Sequence, residues 1–213
     1  MLHIHAFTVN PFSENTYLVY SESGEAALFD PGFSNAFEQS ALLRFLEDNN
    51  LRLTQLFLTH AHIDHILGYH WVNDHFKLTA RGNEKEIPVF QRGKESSALF
   101  GIPYTEGPGM KADLHHGDTI TIAGETWQLR EAPGHSPGSL LFVHEGQGWV
   151  ICGDVIFRES IGRTDLPGGN YETLMNSIAN QVYSLPDHYR LFPGHGPETS
   201  VGYEKENNPF IRA

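Results

Sequence analysis

Cysteine is almost absent from the chain, and this scarcity excludes a disulfide framework. Cys152 is the only cysteine among the 213 residues, so no disulfide can form within one chain. The amino-terminal stretch MLHIHAFTVNPF also lacks a basic segment followed by an apolar core, so we expect no signal peptide there. Both absences are compatible with the reducing cytoplasm. The sequence therefore predicts a cytoplasmic protein.

Basic residues and long apolar runs are scarce as well. The chain has 14 Lys and Arg residues against 26 Asp and Glu residues, which gives a formal charge of −12. Because such a surface repels phosphate groups and no local basic patch offsets it, we expect no nucleic-acid partner. The apolar runs are shorter than the ~20 residues that cross a bilayer, so we expect no membrane partner. The sequence leaves the oligomeric state open.

The composition is otherwise that of a globular protein, with 39% hydrophobic and 12% aromatic residues. We find no internal repeat, no low-complexity stretch and no linker-like change in composition. Residues 1–213 are therefore predicted to form one domain.

In the first half of the chain, LHIHAF alternates and predicts a strand, strands are also predicted at NTYLVYS and EAALFDPG, and the apolar LTQLFLT predicts a buried strand. Apolar residues at 37, 41, 42, 45 and 46 have helical spacing. A second helix is predicted from Asp64 to about His75, followed by a strand at KLTA. Residues 84–116 are irregular and predicted to be helical only in parts.

Beyond residue 117 the pattern is mainly that of short strands separated by glycine-containing turns. DTITIAG, TWQLREAP, SLLFVHEG and GWVICGD fit this pattern, and YRLFPG is a final strand. A helix is predicted at YETLMNSIANQVYSL. Since each half supplies several strands and helices, we expect an α/β fold of two sheets packed face to face with helices outside.

Thirteen histidines are many for this length, but most of them have an ordinary explanation. They fall on an edge strand, on a predicted helix or beside turns, where a structural or solvent-facing role suffices. These residues are His3, His5, His70, His75, His115, His116, His144 and His188.

The remaining histidines, with two aspartates, follow the ends of separate predicted strands. The strand LTQLFLT runs directly into HAHIDH, and three later strands each end in a loop rich in Gly or Pro. Strand ends are where a rigid scaffold meets adaptable loops. The residues delivered there are His60, His62, Asp64, His65, His135, Asp154 and His195.

Imidazole and carboxylate groups are suitable ligands for zinc and other divalent ions. The rings of His60 and His62 can converge on one ion, while Asp64 and His65 face a second. Asp154 has two carboxylate oxygens and can bridge both ions. Two ions ~3.5–4 Å apart would share a hydroxide that is nucleophilic at neutral pH. We therefore predict two divalent metal ions, zinc first, with iron and manganese as alternatives.

The stretch THAHIDH, with His135, Asp154 and His195 in this order, resembles the metallo-β-lactamase-fold hydrolases. The resemblance implies a single-domain, four-layer αβ/βα sandwich. It also implies that His135 joins His60 and His62 on the first metal. His195 would then join Asp64 and His65 on the second, with Asp154 between the ions. Asp30 in LFDPG matches a family aspartate that supports the site from behind.

GDVIFRESIGRTDLPGGN and FPGHGPETSVGYEKENNPF resemble a narrower group, the single-domain glyoxalase II-like hydroxyacylglutathione hydrolases of the GloC type. This resemblance implies hydrolysis of a small-molecule thioester such as S-lactoylglutathione by a metal-activated hydroxide. Asp64 and Asp154 would be catalytic, and Asp64 would orient the proton of the hydroxide. The chain ends three residues after Phe210, where two-domain glyoxalases II add a helical region, so we expect weak recognition of glutathione.

Arg163 and Asp165, in the loop after Asp154, have two interpretations. They either shape the pocket and brace ligands from behind, or they form only a structural ion pair.

The main alternative is a mononuclear-iron oxygenase acting on glutathione persulfide, whose family shares the scaffold and a GRTD loop. The PGHGP flanks of His195 favour the dinuclear hydrolases instead. A diiron oxygen- or nitric-oxide-reducing protein needs a carboxylate where His62 stands. A metallo-β-lactamase is disfavoured by Asp154, a position where many zinc lactamases use cysteine. A binding module without activity gains no support from a complete ligand set.

Overall fold

The first sheet of the computed structural model, which describes residues 1–212, contains six strands in sequence order. They are β1 (Leu2–Val9), β2 (Glu14–Ser21), β3 (Glu25–Phe29), β4 (Arg52–Phe57), β5 (Arg81–Gly82) and β6 (Lys111–Ala112). The first three strands are antiparallel, and each strand from β3 onward runs parallel to the next.

The second sheet also has six strands, in the order β14-β13-β10-β9-β8-β7. A separate hairpin of β11 and β12 follows β10. The strands are β7 (Thr119–Ile122), β8 (Glu125–Glu131), β9 (Leu140–His144), β10 (Trp149–Gly153), β11 (Ile156–Phe157), β12 (Ser160–Ile161), β13 (Arg190–Pro193) and β14 (Thr199–Ser200).

Seven α-helices accompany the sheets within residues 1–212, together with a 3₁₀ turn at Glu84–Glu86 and a π-helical turn at Ile178–Val182. They are α1 (Ala36–Asp48), α2 (Ile63–Ile66), α3 (Tyr69–Phe76), α4 (Ile87–Gln91), α5 (Gly93–Phe100), α6 (Tyr171–Ser177) and α7 (Val201–Asn207). None of these helices combines the length and the apolar character needed to cross a membrane.

Three apolar clusters divide the molecule into four layers. The central cluster joins the facing sides of the two sheets and includes Phe29, Phe57, Trp127 and Phe142. A second cluster packs the outer face of the first sheet against α1 and α3, and a third packs the outer face of the second sheet against α6. Since each sheet buries both faces, the layers are α, β, β and α. The predicted αβ/βα sandwich is confirmed.

Two local predictions in the first half are wrong. The single helix predicted from Asp64 to His75 is two helices, because the chain bends at Gly68, whose N–H donates to the Pro31 carbonyl. KLTA forms no strand: Lys77 takes a left-handed conformation (φ 58°) that ends α3, and pairing begins only at Arg81.

His144 lies beside a turn, as predicted. It is the last residue of β9, directly before the turn at residues 145–148, and it is buried with its ring centroid 5.0 Å from that of Trp127.

Candidate metal centre

The candidate ligands all follow strands that point toward the same end of the molecule. Strands β10 and β13 are parallel, and β8 has the direction of β10 because both are antiparallel to β9. His135, Asp154 and His195 follow these three strands, while the HAHIDH stretch follows β4 of the other sheet. The sandwich thereby brings all seven residues to one edge.

The first ligand set consists of His60, His62 and His135. One ring nitrogen of each residue lies within 4.8 Å of the other two. The Nε2 atom of His135 is 2.8 Å from Nδ1 of His62 and 3.2 Å from Nε2 of His60. Nδ1 of His135 donates to the backbone carbonyl of Arg163 at 2.8 Å, which turns Nε2 toward the other rings.

The second set consists of Asp64, His65 and His195, whose ligand atoms also lie within 4.8 Å of one another. Oδ2 of Asp64 is 3.1 Å from Nε2 of His195 and 3.8 Å from Nε2 of His65. Nδ1 of His195 donates to the carbonyl of Phe12 at 3.1 Å, so this ring is also oriented from behind.

Asp154 lies between the two sets. Its Oδ2 atom is 3.6 Å from Nε2 of His135 in the first set and 3.5 Å from Nε2 of His195 in the second. Its Oδ1 atom is 3.4 Å from Nε2 of His65. This is the position from which one carboxylate reaches two ions.

The rings of the first set are held in the neutral form. Burial lowers the pKa of His60 well below its ordinary value, and neighbouring His65 and His62 add to the effect. Burial and then His135 lower the pKa of His62 to about 3. Burial also lowers the pKa of His135 despite the opposing charge of Asp154. A neutral imidazole offers the lone pair that a metal needs.

The second set is charged. Burial disfavours the ionised forms of Asp64 and Asp154, but His65 and the other neighbouring histidines together outweigh it, so the pKa of both carboxyl groups is lowered. Burial likewise disfavours protonation of His65, yet Asp154 and Asp64 raise its pKa well above the ordinary value. The pKa of His195 is raised against burial by its contact with Asp64. Metal binding to this set must therefore displace protons.

Two buried polar atoms test whether these residues fit a metal ion. Among the described residues, neither Nε2 of His65 nor Oδ1 of Asp154 has a hydrogen-bond partner. Leaving such atoms buried and unsatisfied is costly, so native proteins rarely do it without a ligand. Imidazole and carboxylate are also the donor types that divalent transition metals prefer. The site therefore fits metal ions.

Asp30 lies directly behind the second set and contacts His65. Its Oδ2 atom accepts hydrogen bonds from Nδ1 of His65 (3.1 Å) and from the Thr59 hydroxyl (2.6 Å), and its Oδ1 atom accepts from the Thr59 N–H (2.7 Å). The Asp30 backbone is left-handed (φ 52°), a conformation that Asp tolerates better than most residues.

Glu14 is a buried acid near this site that the sequence analysis missed. It lies at the start of β2, and its Oε1 atom is 3.7 Å from Nδ1 of His65. Burial raises the pKa of Glu14 well above its usual value. A single glutamate at the beginning of an apolar strand gives no sequence signal for such a position.

Glu86 is the second residue that the sequence analysis missed. Its Oε2 atom accepts from the N–H of Ala61 (2.8 Å), and its Oε1 atom accepts from the Ser136 hydroxyl and the Gly138 N–H (both 2.6 Å). Ala61 separates His60 from His62, and Ser136 follows His135, so Glu86 ties together the two loops that form the first set. In NEKEIPV nothing distinguishes it from the exposed Glu84.

Arg163 contributes to the site through its backbone. Its side chain forms a bidentate ion pair with Asp165, at 2.7 and 2.8 Å, and both side chains are exposed. The contact with His135 is made by the Arg163 carbonyl. The Arg163 side chain therefore forms the ion pair, while its backbone carbonyl contacts the candidate ligand His135.

Gly194 shows how closely the loops approach. A Cβ atom at this position would collide with Oδ1 of Asp154 and lie 2.7 Å from the His65 ring. Only glycine therefore fits at this position between β13 and the candidate ligands, which explains Gly194 in FPGHGP.

A cavity of about 650 Å³ opens above the site. His62, Asp64, His135, Asp154 and His195 form its floor. Its sides come from the segment that contains α4 and α5 and from residues 157–168. This volume is within the range of small-molecule sites.

The fold and the donor groups agree with one family. The profile of the metallo-beta-lactamase superfamily matches residues 9–195, so the chain belongs to this superfamily of metallo-hydrolases. One relative is the hydroxyacylglutathione hydrolase GloC of Haemophilus influenzae. It is 33% identical over 215 residues, which cover 100% of this chain and 99% of the relative.

Two solved structures are similar along almost their whole length. The crystal structure of BLEG-1 B3 metallo-beta-lactamase has a TM-score of 0.90 and 34% identity, covering 99% of this chain and 100% of that one. The crystal structure of TTHA1623 in a di-iron-bound form has a TM-score of 0.87 and 32% identity, covering 97% and 100%. The predicted family resemblance is confirmed.

Proposed function

We propose that the protein is a dinuclear metal-dependent hydrolase that cleaves thioesters such as S-lactoylglutathione. The observation that carries this proposal is the pair of three-residue ligand sets joined by Asp154 at the floor of a cavity. The similarity to a hydroxyacylglutathione hydrolase supports the thioester as the bond that is cleaved.

Each ligand set would hold one divalent ion, and Asp154 lies between the two sets. Zinc is the first candidate, and iron and manganese have compatible ligand preferences. The likeness to a structure in a di-iron-bound form keeps iron among the candidates. When bound, such ions activate water and stabilise negative charge on a carbonyl oxygen.

The residues of the chain position the reactants. The backbone carbonyls of Arg163 and Phe12 fix the rings of His135 and His195, so their Nε2 atoms face the cavity floor. The Asp64 carboxylate orients the proton of the attacking water. The water oxygen gives up one proton to solvent and bonds to the acyl carbon, the C–S bond breaks, and sulfur leaves with the electron pair as a thiolate. Because a thiolate is a good leaving group, no strong general acid is required.

The test is thiol release from S-lactoylglutathione by protein whose metal content has been measured. We expect hydrolysis with close to two ions per chain. The absence of hydrolysis of any thioester at full metal loading would overturn the proposal. Since the chain resembles BLEG-1 B3 metallo-beta-lactamase, a chromogenic cephalosporin belongs in the same assay, and we expect slower turnover of it than of the thioester.

The variant His195→Ala distinguishes this proposal from the persulfide oxygenase. It removes a ligand of the second set only, so a dinuclear hydrolase should lose most of its rate. A mononuclear enzyme that uses the remaining residues should be affected less. Oxygen uptake with glutathione persulfide that persists in His195→Ala would favour the oxygenase.

A further inference from the structure

We propose that the preferred substrate is a thioester with an apolar acyl chain, and that the upper part of the cavity binds this chain. The inference rests on the proposed function and specifies its substrate class. The part of the cavity above the floor is hereafter the apolar wall. Its main side chains are Phe12, Val89, Leu99, Phe100, Phe157 and Leu166.

The size of the cavity is the first reason. A space of about 650 Å³ is within the range for drug-sized ligands and is much larger than a lactoyl group. The wall is continuous with the floor, since the same cavity is lined by Asp64, Asp154 and His195. A thioester whose acyl chain packs against the wall therefore has its carbonyl over the ligand sets.

The exposure of the wall is the second reason. Leu99 is 83% exposed and Phe100 is 48% exposed, although both are large apolar residues. The ring of Phe100 meets Phe12 edge-to-face at 5.2 Å, so the two form a rim over the cavity. Clustered exposed apolar side chains at the mouth of a site indicate binding of an apolar group.

The charges of the cavity are the third reason. Among the described residues that line it, the cationic side chains other than histidine are Arg92 and Arg163. Each already forms an ion pair with a nearby acid: Nε of Arg92 is 3.3 Å from Oε2 of Glu95, and Nε of Arg163 is 2.7 Å from Oδ1 of Asp165. The two carboxylates of glutathione would find no unpaired guanidinium here. Because the common thiol carriers of cells are polar and charged, the apolar part of a natural thioester is its acyl group.

The experiment uses the full chain loaded with zinc and thioesters of N-acetylcysteamine, a neutral thiol. The acyl group is lengthened from acetyl through butanoyl to hexanoyl, and thiol release gives kcat/KM. One buried methylene contributes about 0.8 kcal/mol, which corresponds to about fourfold. We expect kcat/KM to rise about two- to fourfold per methylene up to hexanoyl.

Substitution of the wall provides the matched comparison. The double variant Leu99→Ser/Phe100→Ser should flatten the dependence of kcat/KM on acyl length, because the hexanoyl thioester loses more contact with the wall than the acetyl thioester does. Phe37→Ser is the control, because Phe37 is 77% exposed on α1 and outside the cavity lining, so the slope should persist. Calorimetric binding of the matching ketones, with CH₂ in place of sulfur, should show the same trend without turnover.

The failure of this inference and the failure of the proposed function give different results. Suppose that kcat/KM does not change with acyl length in protein that hydrolyses S-lactoylglutathione. This result would overturn the preference for an apolar acyl group but not the proposed thioester hydrolysis. If kcat/KM still rises with acyl length in the Leu99→Ser/Phe100→Ser variant, the acyl group does not bind at the apolar wall. Fully metal-loaded protein that hydrolyses no thioester would overturn the proposed function itself.

Discussion

The floor and the apolar wall of the cavity differ in how firmly they are held. His135 and Asp154 of the floor are buried within the sandwich, as are the candidate ligands His60 and His65 beneath it, and Asp30 and Glu86 fix the surrounding segments by hydrogen bonds. The wall lies on short helices and on the 157–168 loop, with much of its surface exposed. The difference fits the two proposals: the buried floor would set the chemistry, while the exposed wall would select the substrate.

The strongest test of the floor is Asp154→Ala. Since this carboxylate lies between both ligand sets, its loss should lower metal content at both positions to below one ion per chain. We expect kcat to fall on the order of a thousandfold, or about 4 kcal/mol of transition-state stabilisation. Elemental analysis and thiol-release kinetics measure the two effects.

The control for this variant is Asp74→Ala. Asp74 is an exposed acid of α3 that pairs with Lys77, so metal content and rate should not change. Should Asp154→Ala retain two ions and full activity, the bridging position would be wrong. Substitution in the floor would then be tolerated, as we expect for substitution in the wall.

The second test is whether Glu86, which is not a candidate ligand, helps to hold the ligands of the first set in place. In Glu86→Gln one carboxylate oxygen becomes an amide nitrogen, which then faces an N–H or O–H donor instead of accepting from it. We expect a loss of about 1–3 kcal/mol in the free energy of unfolding because a buried donor is left unsatisfied. Metal affinity at the first set should fall about tenfold, since the two loops are no longer tied together.

Glu84→Gln is the matched control for Glu86→Gln, because Glu84 lies in the same 3₁₀ turn but is exposed. Chemical denaturation and metal titration should show it unchanged. A Glu86→Gln variant that loses stability yet keeps its metal affinity would limit Glu86 to a structural role.

The same contrast explains what the sequence could and could not predict. The floor residues form a short motif, HAHIDH, and single residues in glycine-rich loops after strands, so local patterns and chain order identified them. Glu86 escaped because its role depends on loops 25 and 50 residues away along the chain. KLTA had the composition of a strand, but the left-handed Lys77 ends α3 there, and pairing begins only at Arg81.

The wall could not be predicted for a different reason. Its apolar residues come from the β1–β2 loop, α4, α5 and residues 157–168, and each alone has an ordinary apolar pattern. Residues 84–116 were predicted only as irregular and partly helical, and α4 and α5 lie there. A surface assembled from such distant segments has no motif, so only the three-dimensional structure shows it.

The smallest effect is expected from Arg163→Ala, at the border between floor and wall. The Arg163 carbonyl that orients His135 is kept in this variant, and only an exposed ion pair with Asp165 is lost. Because such pairs contribute little in water, metal content should be unchanged and kcat/KM for S-lactoylglutathione should fall less than about threefold.

Gly162→Ala in the same loop should have the opposite effect on metal content. Its Cβ would collide with the Asp154 carbonyl and lie 2.9 Å from Nδ1 of His135, so metal should be lost. Loss of metal in Arg163→Ala would show that the side chain braces the floor. A tenfold rise in KM at full metal content would instead show that it binds a glutathione carboxylate, against the apolar preference inferred for the wall.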